Sequence, residues 1–516
     1  MVLAAVLMGV IAARIHLLQV PLERDEGEYA YAGQLMLEGF PPYKLAYNMK
    51  FPGTYVAYAL VMSIFGQTTT GVHLGVTLIN LVTVAFVFLL GRRLINNVCG
   101  AAAASVYAVL SVSPSVLGFA GHATHFVMLP VCAGSYLLVT TRRSNVRVFA
   151  AGLLFGTALV MKQSGAAFAV FGAILLAFRD SKASFSWGRI VVRLAAFGLA
   201  VVLPISGIMI WLWSIGSFGA FWFWTVQYAR EYIGLLPVAQ GVLIFRQAIV
   251  DVAGLSWPVW LLAIVGFVFA IIQPRTRSIA LSVLLPLLLC SALAISPGFY
   301  FRPHYFIQVL PAVALLAAAP VGLMTATARS SWRGWIALVV FAIAVSFPIW
   351  QERVFLFVLS PDIASRAAYG LEPFPEAKRV GEFLRQRSNP GDTIAVLGSE
   401  PEIYFYARRH SATGYIYSYP LMERQAFAST MQRTMISEIE SAHPRYFVLV
   451  GFPNSWMRRT DSDQYILQWF NRYAAENLTG IGALNARSIE QTEYYLPYNG
   501  EPLQMAENYM LIYERR

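Results

Sequence analysis

Between Glu23 and Gly53 the chain reads ERDEGEYAYAGQLMLEGFPPYKLAYNMKFPG, and this stretch concentrates the residues able to do chemistry. Asp25, Glu26 and Glu28 fall within four positions, and Tyr29, Tyr43, Asn48 and Lys50 follow. On a helix, residues three apart share a face, so Asp25 and Glu28 can converge while Glu26 points elsewhere. A carboxylate beside an acceptor hydroxyl can take its proton as an activated carbon is attacked. Lys50 is the natural partner, because a fixed ammonium stabilises a departing phosphate more in the transition state than in the ground state. The structural alternatives are an acidic helix start and a snorkelling interfacial lysine. Placement between two apolar segments favours chemistry, since charge there is costly unless it meets water or a polar substrate.

A second group surrounds Phe301-Arg302-Pro303-His304-Tyr305. Arg302 suits bidentate phosphate recognition, with His304 as a further donor; anchoring at the headgroups is the alternative. Arg14, within the first apolar segment, is a candidate for a polar cavity or for the phosphate. His122, His125, Lys162 and Tyr305 are further candidates to line a substrate cavity, with Tyr29, Tyr43 and Asn48. One or two of Asp25, Glu26 and Glu28 can converge on a substrate as the base. No metal is required, because lysine and arginine supply positive charge, although Asp25 and Glu28 could hold Mg²⁺ or Mn²⁺. No spacing forms a Ser-His-Asp triad, and Cys99, Cys132 and Cys290 form no metal motif.

These residues must be positioned by membrane helices. Of 516 residues 57% are hydrophobic and 13% charged, against about 25% charged in soluble domains. At about 20 residues per span, apolar segments at 1–20, 71–91, 98–116, 122–140, 148–162, 164–178, 190–214, 252–273, 278–296, 304–323 and 335–350 predict about eleven transmembrane helices. The first reads as a retained helix, lacking the basic start and cleavage site of a signal peptide. Up to Trp350 there are 21 Lys and Arg against 8 Asp and Glu, and beyond it 17 against 19. Arg92 and Arg93, then Arg142, Arg143 and Arg147, then Arg179, Lys182 and Arg189, then Arg275 and Arg277, then Arg329 and Arg333 occupy alternate loops. By the positive-inside rule these loops are cytoplasmic, and the basic excess therefore reads as topology, not as nucleic-acid binding. Loop 21–70 and everything after residue 350 are then extracytoplasmic, where bacteria offer no ATP or nucleotide-sugar. The donor should be carried by a lipid.

Pro52–Phe65 is expected to lie along the interface, and 215–251 is expected to be an aromatic belt, either an anchor or a wall over a lipid carrier. After Trp350, helices at 376–387 and 464–475 alternate with apolar runs at 393–397, 446–450 and 509–513, which read as buried strands of a small α/β domain.

Asp25-Glu26 after the first span, Tyr29, Pro42-Tyr43 and Asn48-x-Lys50-x-Pro52-Gly53 resemble the bacterial GT-C glycosyltransferases. Met161-Lys162-Gln163 and Arg302-Pro303-His304-Tyr305 fit the same pattern. Over residues 1–350 the layout is similar to the protein O-mannosyltransferase and aminoarabinose transferase group. The resemblance implies a polytopic α-helical membrane protein with a C-terminal extracytoplasmic α/β domain. It implies inverting transfer of a sugar from a polyprenyl-phosphate carrier to a glycan, lipid or protein acceptor of the cell envelope. Asp25 matches the family's catalytic carboxylate and Lys50 its phosphate-contacting lysine, whereas His125 departs from the acid or small residue expected there. The terminal domain would recognise the acceptor. The competing reading is a transporter or flippase of lipid-linked saccharides, although paired halves around a midplane site are not evident.

Overall fold

The computed structural model describes residues 2–141, 143–183, 186–327 and 332–516. Arg142 and Arg329 lie outside the described residues, as do the side chains of Arg275 and Arg333.

The apolar segments fold as helices because a chain in hydrocarbon must satisfy its own backbone. In order they begin with α1 (Val2–His16), α2 (Arg24–Leu37), α3 (Gly53–Phe65), α4 (Thr69–Leu94), α5 (Asn97–Leu110), α6 (Ala123–Thr140), α7 (Asn145–Met161), α8 (Gly165–Lys182) and α9 (Trp187–Ser214). Each of the eleven expected segments carries a helix. Among the described residues five are long and apolar enough to span a membrane, or seven if each of two bent pairs counts as one span; five further apolar helices are shorter. The expected loop 215–251 is mostly helical instead: Phe218–Ile233 and Val238–Gly254 meet at 91°. Phe221, Trp224 and Tyr228 are buried while Trp222 is exposed, and Trp224, Tyr228 and Tyr232 line a cavity beside Asp25.

Helix α2 turns 74° from the first helix. Glu23 caps it, accepting from the Glu26 backbone N–H while the Glu26 side chain accepts from the Glu23 N–H. Gly27 lets α2 approach the terminal domain so closely that a Cβ there would lie 2.5 Å from Cβ of Glu402. At the other end of the helical unit, Asp180 pairs with Arg193 at 2.6 Å, and Arg179 donates to the carbonyls of Val139 and Thr141. The site residues and this arginine-rich end therefore sit at opposite ends of α8.

The terminal domain carries a six-stranded sheet of β1 (Thr393–Leu397), β2 (His410–Ser411), β3 (Tyr446–Val450), β4 (Leu478–Ala486), β5 (Thr492–Tyr495) and β6 (Asn508–Arg515), in the order β2-β1-β3-β6-β4-β5. β1 pairs parallel with β2 and β3, and the other pairs are antiparallel. The runs expected at 393–397, 446–450 and 509–513 are strands of its centre. Strands β4 and β5 and the helix Ala428–Ala442 were not anticipated, because Gly480, Gly482 and polar residues break the apolar run.

This domain docks on α2. Arg24 Nη2 lies 2.9 Å from Glu372 and 3.1 Å from Glu400, and its Nε donates to Ser399 O at 2.6 Å. The Leu22 N–H donates to the Tyr406 hydroxyl, and the Ser411 N–H to that of Tyr31.

Candidate active site

Helix α2 brings Asp25 and Glu28 to one face, and Lys50 lies between them. Its Nζ donates to Asp25 Oδ1 at 2.7 Å and to Glu28 Oε2 at 2.5 Å. Lys50 owes its place to the ends of the loop that carries it. Its own carbonyl accepts from the Tyr43 hydroxyl at 2.7 Å, and the Met49 carbonyl accepts from Gln163 Nε2 at 2.6 Å. A Cβ at Gly53 would lie 2.3 Å from the Val160 carbonyl, so glycine permits the close packing of α3 on α7. Tyr29 places its ring 4.5 Å from the ammonium.

The two carboxylates then differ. Glu28 is fully buried: Oε1 accepts from Tyr55 at 2.5 Å, and Oε2 lies 2.9 Å from the Tyr417 hydroxyl. Burial raises its pKa against the pull of Lys50. Asp25 keeps 26% of its side chain accessible. Burial would raise its pKa, but Lys50 outweighs that and holds it well below the usual carboxylate range. Burial also works against the Lys50 ammonium, which Asp25 and Glu28 nonetheless keep charged.

Two cavities meet at this group. One, about 370 Å³, is lined by Asp25, Asn48, Lys50, His122, Arg302, His304 and Tyr305 and closed by Tyr417, Tyr419 and Glu423 of the terminal domain. The other, about 320 Å³, shares Asp25, Lys50, His304 and Tyr305 but is otherwise mostly apolar, lined by Ala123, Met161, Ala229, Ile233 and Ala294 around Lys162. Lys162 Nζ sits 3.9 Å from the Tyr305 ring centroid, and burial lowers its pKa to about 7. Among the described residues neither Lys162 nor Arg302 has a hydrogen-bond or ion-pair partner; Arg302 stands 5.8 Å from the Tyr300 ring.

His122 and His304 stack at 4.0 Å, and His304 Nε2 lies 3.8 Å from Asp25 Oδ2. Burial, and for His304 its neighbour His122 next, favours neutral rings. Ligand atoms of Asp25, His122 and His304 lie within 4.8 Å of one another, and both His122 nitrogens are buried without a hydrogen bond, Nδ1 lying 3.6 Å from Glu23 Oε1. This set, rather than Asp25 with Glu28, could accept a divalent ion, because Glu28 is already filled by Lys50, Tyr55 and Tyr417. Two imidazoles and one carboxylate suit Mn²⁺ or Zn²⁺ better than the oxygen-seeking Mg²⁺.

The remaining candidates are placed elsewhere. Glu26 turns into the core, where Oε1 accepts from the Gly121 N–H at 2.5 Å and lies 3.0 Å from His73 Nε2. Arg14 donates to Ser111 O at 2.7 Å and Gly118 O at 3.3 Å, and His125 to Gly118 O at 3.0 Å. These three stitch buried backbone and line neither cavity, and Tyr43, its hydroxyl spent on the Lys50 carbonyl, lines neither as well.

A family model described as dolichyl-phosphate-mannose-protein mannosyltransferase matches residues 50–211. No curated protein sequence matches the chain significantly. The structure is similar to that of ArnT from Cupriavidus metallidurans bound to undecaprenyl phosphate, with TM-score 0.62, 15% identity, and 99% of this chain and 97% of that one covered. AglB from Archaeoglobus fulgidus, in complex with an inhibitory peptide and a dolichol-phosphate, gives TM-score 0.51 at 14% identity over 97% and 75% of the two chains. The mycobacterial arabinofuranosyltransferase AftD gives 0.53 at 12% over 99% and 39%. This chain has the GT-C fold.

Within the GT-C fold, the tyrosine partners of Glu28 and the terminal-domain wall of the cavity escaped sequence reading. Tyr55 lies five positions after Lys50, on the first turn of α3, where the Pro52-Gly53 start could have placed it near the lysine. Tyr417 is 389 residues from Glu28 and had no local signal.

Proposed function

We propose that this protein transfers a sugar, with inversion, from a polyprenyl-phosphate carrier to a hydroxyl acceptor of the cell envelope on the extracytoplasmic face. One observation carries the reading: a lysine loaded by two carboxylates stands where a mostly apolar cavity meets a polar one. The apolar cavity around Lys162 suits the lipid end of the donor, whose phosphate would be gathered by Lys50, Lys162 and Arg302. An unpaired guanidinium in one cavity and an unpaired amine in the adjoining one, on either side of the Asp25–Lys50 group, are a strong attraction for such an anion.

In this scheme Asp25 is the base. Free, it is a weak one, because Lys50 is its counter-ion. A donor phosphate gives Lys50 a competing partner, so Asp25 gains basicity when the donor is in place. Asp25 then takes the proton of the acceptor hydroxyl, the oxygen attacks the anomeric carbon, and the phosphate leaves with the bonding electrons toward Lys50 and Arg302. Glu28 stays fixed and holds Lys50. The acceptor arrives through the cavity walled by Tyr417, Tyr419 and Glu423, and a glycan, a lipid such as lipid A and a protein hydroxyl all remain in its class.

The scheme routes no step through a metal. If Asp25, His122 and His304 do take Mn²⁺ or Zn²⁺, EDTA will abolish turnover and the ion will restore it. Purified protein given radiolabelled polyprenyl-phosphate sugar and envelope extract should release free polyprenyl phosphate and labelled product. Movement of intact donor across a vesicle membrane without cleavage would instead identify a flippase.

A further inference from the structure

Away from both catalytic cavities, a cleft of about 220 Å³ opens where the terminal domain meets the outer ends of α3 and α4. The terminal domain contributes Lys378 and Arg385, seven apart on the helix Phe374–Arg387, with Glu382 between them, and Arg408 at the end of the helix Glu402–Ala407. The helical unit opposes them with uncharged groups, Gln67 and the hydroxyls of Thr68 and Thr70. Elsewhere this seam is charge-matched: Arg24 pairs with Glu372 and Glu400, and His410 with Glu38. In the cleft, among the described residues, Lys378, Arg385 and Glu382 form no ion pair, and Arg408 donates only to the Gln67 carbonyl at 3.4 Å. Three cations against one carboxylate, held around a cavity, leave an uncompensated positive field.

The helix that leads into the cleft ends in exposed apolar residues: Leu60, Ile64 and Phe65, just before Gln67, are 60%, 73% and 36% exposed, a surface suited to lipid beside the basic groups. We infer that this cleft binds the phosphate ester of an anionic headgroup, fixing the terminal domain to the outer leaflet at a site distinct from that of the donor. Lysine and arginine beside a membrane surface attract such lipids, and 220 Å³ fits a headgroup and not a lipid-linked saccharide. Since the cleft shares no lining residue with either catalytic cavity, its occupancy is independent of sugar transfer.

Native mass spectrometry of the purified full chain in detergent tests this, with phosphatidylglycerol, phosphatidylcholine and soluble glycerol phosphate as probes. Wild type should retain phosphatidylglycerol about tenfold better than phosphatidylcholine, and K378Q/R385Q/R408Q should erase the difference. Preference for the lipid over glycerol phosphate assigns the source to the membrane; equal binding of the two supports the same site and assigns it to solution. Gln67→Glu is the second variant: it keeps the acceptor that Gln34 Nε2 uses at 2.9 Å and adds an anion, so binding should fall while thermal stability holds or rises. Unchanged phosphatidylglycerol retention in both variants would overturn the inference.

Discussion

Helix α2 has two acidic faces made from consecutive residues, and they behave as different materials. On the cavity face, Asp25 is 26% accessible and shares Lys50 with Glu28. On the core face, the Glu26 side chain is 2% accessible and is spent on a helix cap, a backbone N–H and His73. Both are carboxylates with partners. The difference is that Lys50 is a partner a substrate phosphate can take away, whereas the partners of Glu26 have nowhere else to go. An acid becomes available for chemistry when its counter-ion is exchangeable, not merely when it is charged.

The sharpest way to break that contrast is Asp25→Asn, which keeps shape and removes the base. Turnover of polyprenyl-phosphate sugar should fall by about 10²–10⁴-fold, and retained turnover would move the base elsewhere. Lys50→Met should cost about 10²–10³-fold, through lost stabilisation of the leaving phosphate, and a calorimetric titration should show weaker binding of polyprenyl phosphate. For the core face the expectation reverses. Glu26→Ala should lower unfolding stability by about 3 kcal/mol, because it strands buried partners, while the rate per folded molecule is kept. A thermal melt that does not shift, with activity lost, would put Glu26 in the chemistry.

Two smaller effects sharpen the picture. Burial lowers the Lys162 pKa to about 7, so its charge is present below pH 7 and is lost as pH rises through that value. Its share of donor-phosphate binding should therefore weaken above pH 7, by at most about tenfold per pH unit, and Lys162→Gln should flatten the profile. An unchanged slope in that variant would assign the titration to another group. Tyr417→Phe removes one hydrogen bond to Glu28, worth about 1 kcal/mol, and should slow turnover by about fivefold. Equal loss in a Tyr419→Phe control would show a general effect of the domain wall.

Much of this was readable along the chain. Every expected apolar segment carries a helix, and β1 and β3 match their apolar runs residue for residue, because hydrophobic period and length are local properties. The pairing of Asp25 with Glu28 follows from helical spacing alone, as does the separate direction of Glu26. The assignments of Arg14 and His125 to a cavity did not follow. Both are buried and polar, and sequence cannot distinguish a buried group aimed at a substrate from one aimed at the Gly118 carbonyl. In the 215–251 segment, read as a loop, the helices went unread, whereas its rings do form a wall: Trp224, Tyr228 and Tyr232 line the cavity beside Asp25.

The amino-acid sequence by itself determined the apolar helices, the polar terminal domain and the meeting of acids with a lysine in one outer loop, since each depends on neighbours within a few turns. Only the tertiary structure decided which acid stays accessible, that Lys50 lies between two carboxylates, and that a tyrosine from the far domain completes the set. Those outcomes depend on contacts across hundreds of residues, where burial and hydrogen-bond geometry, not composition, choose each partner.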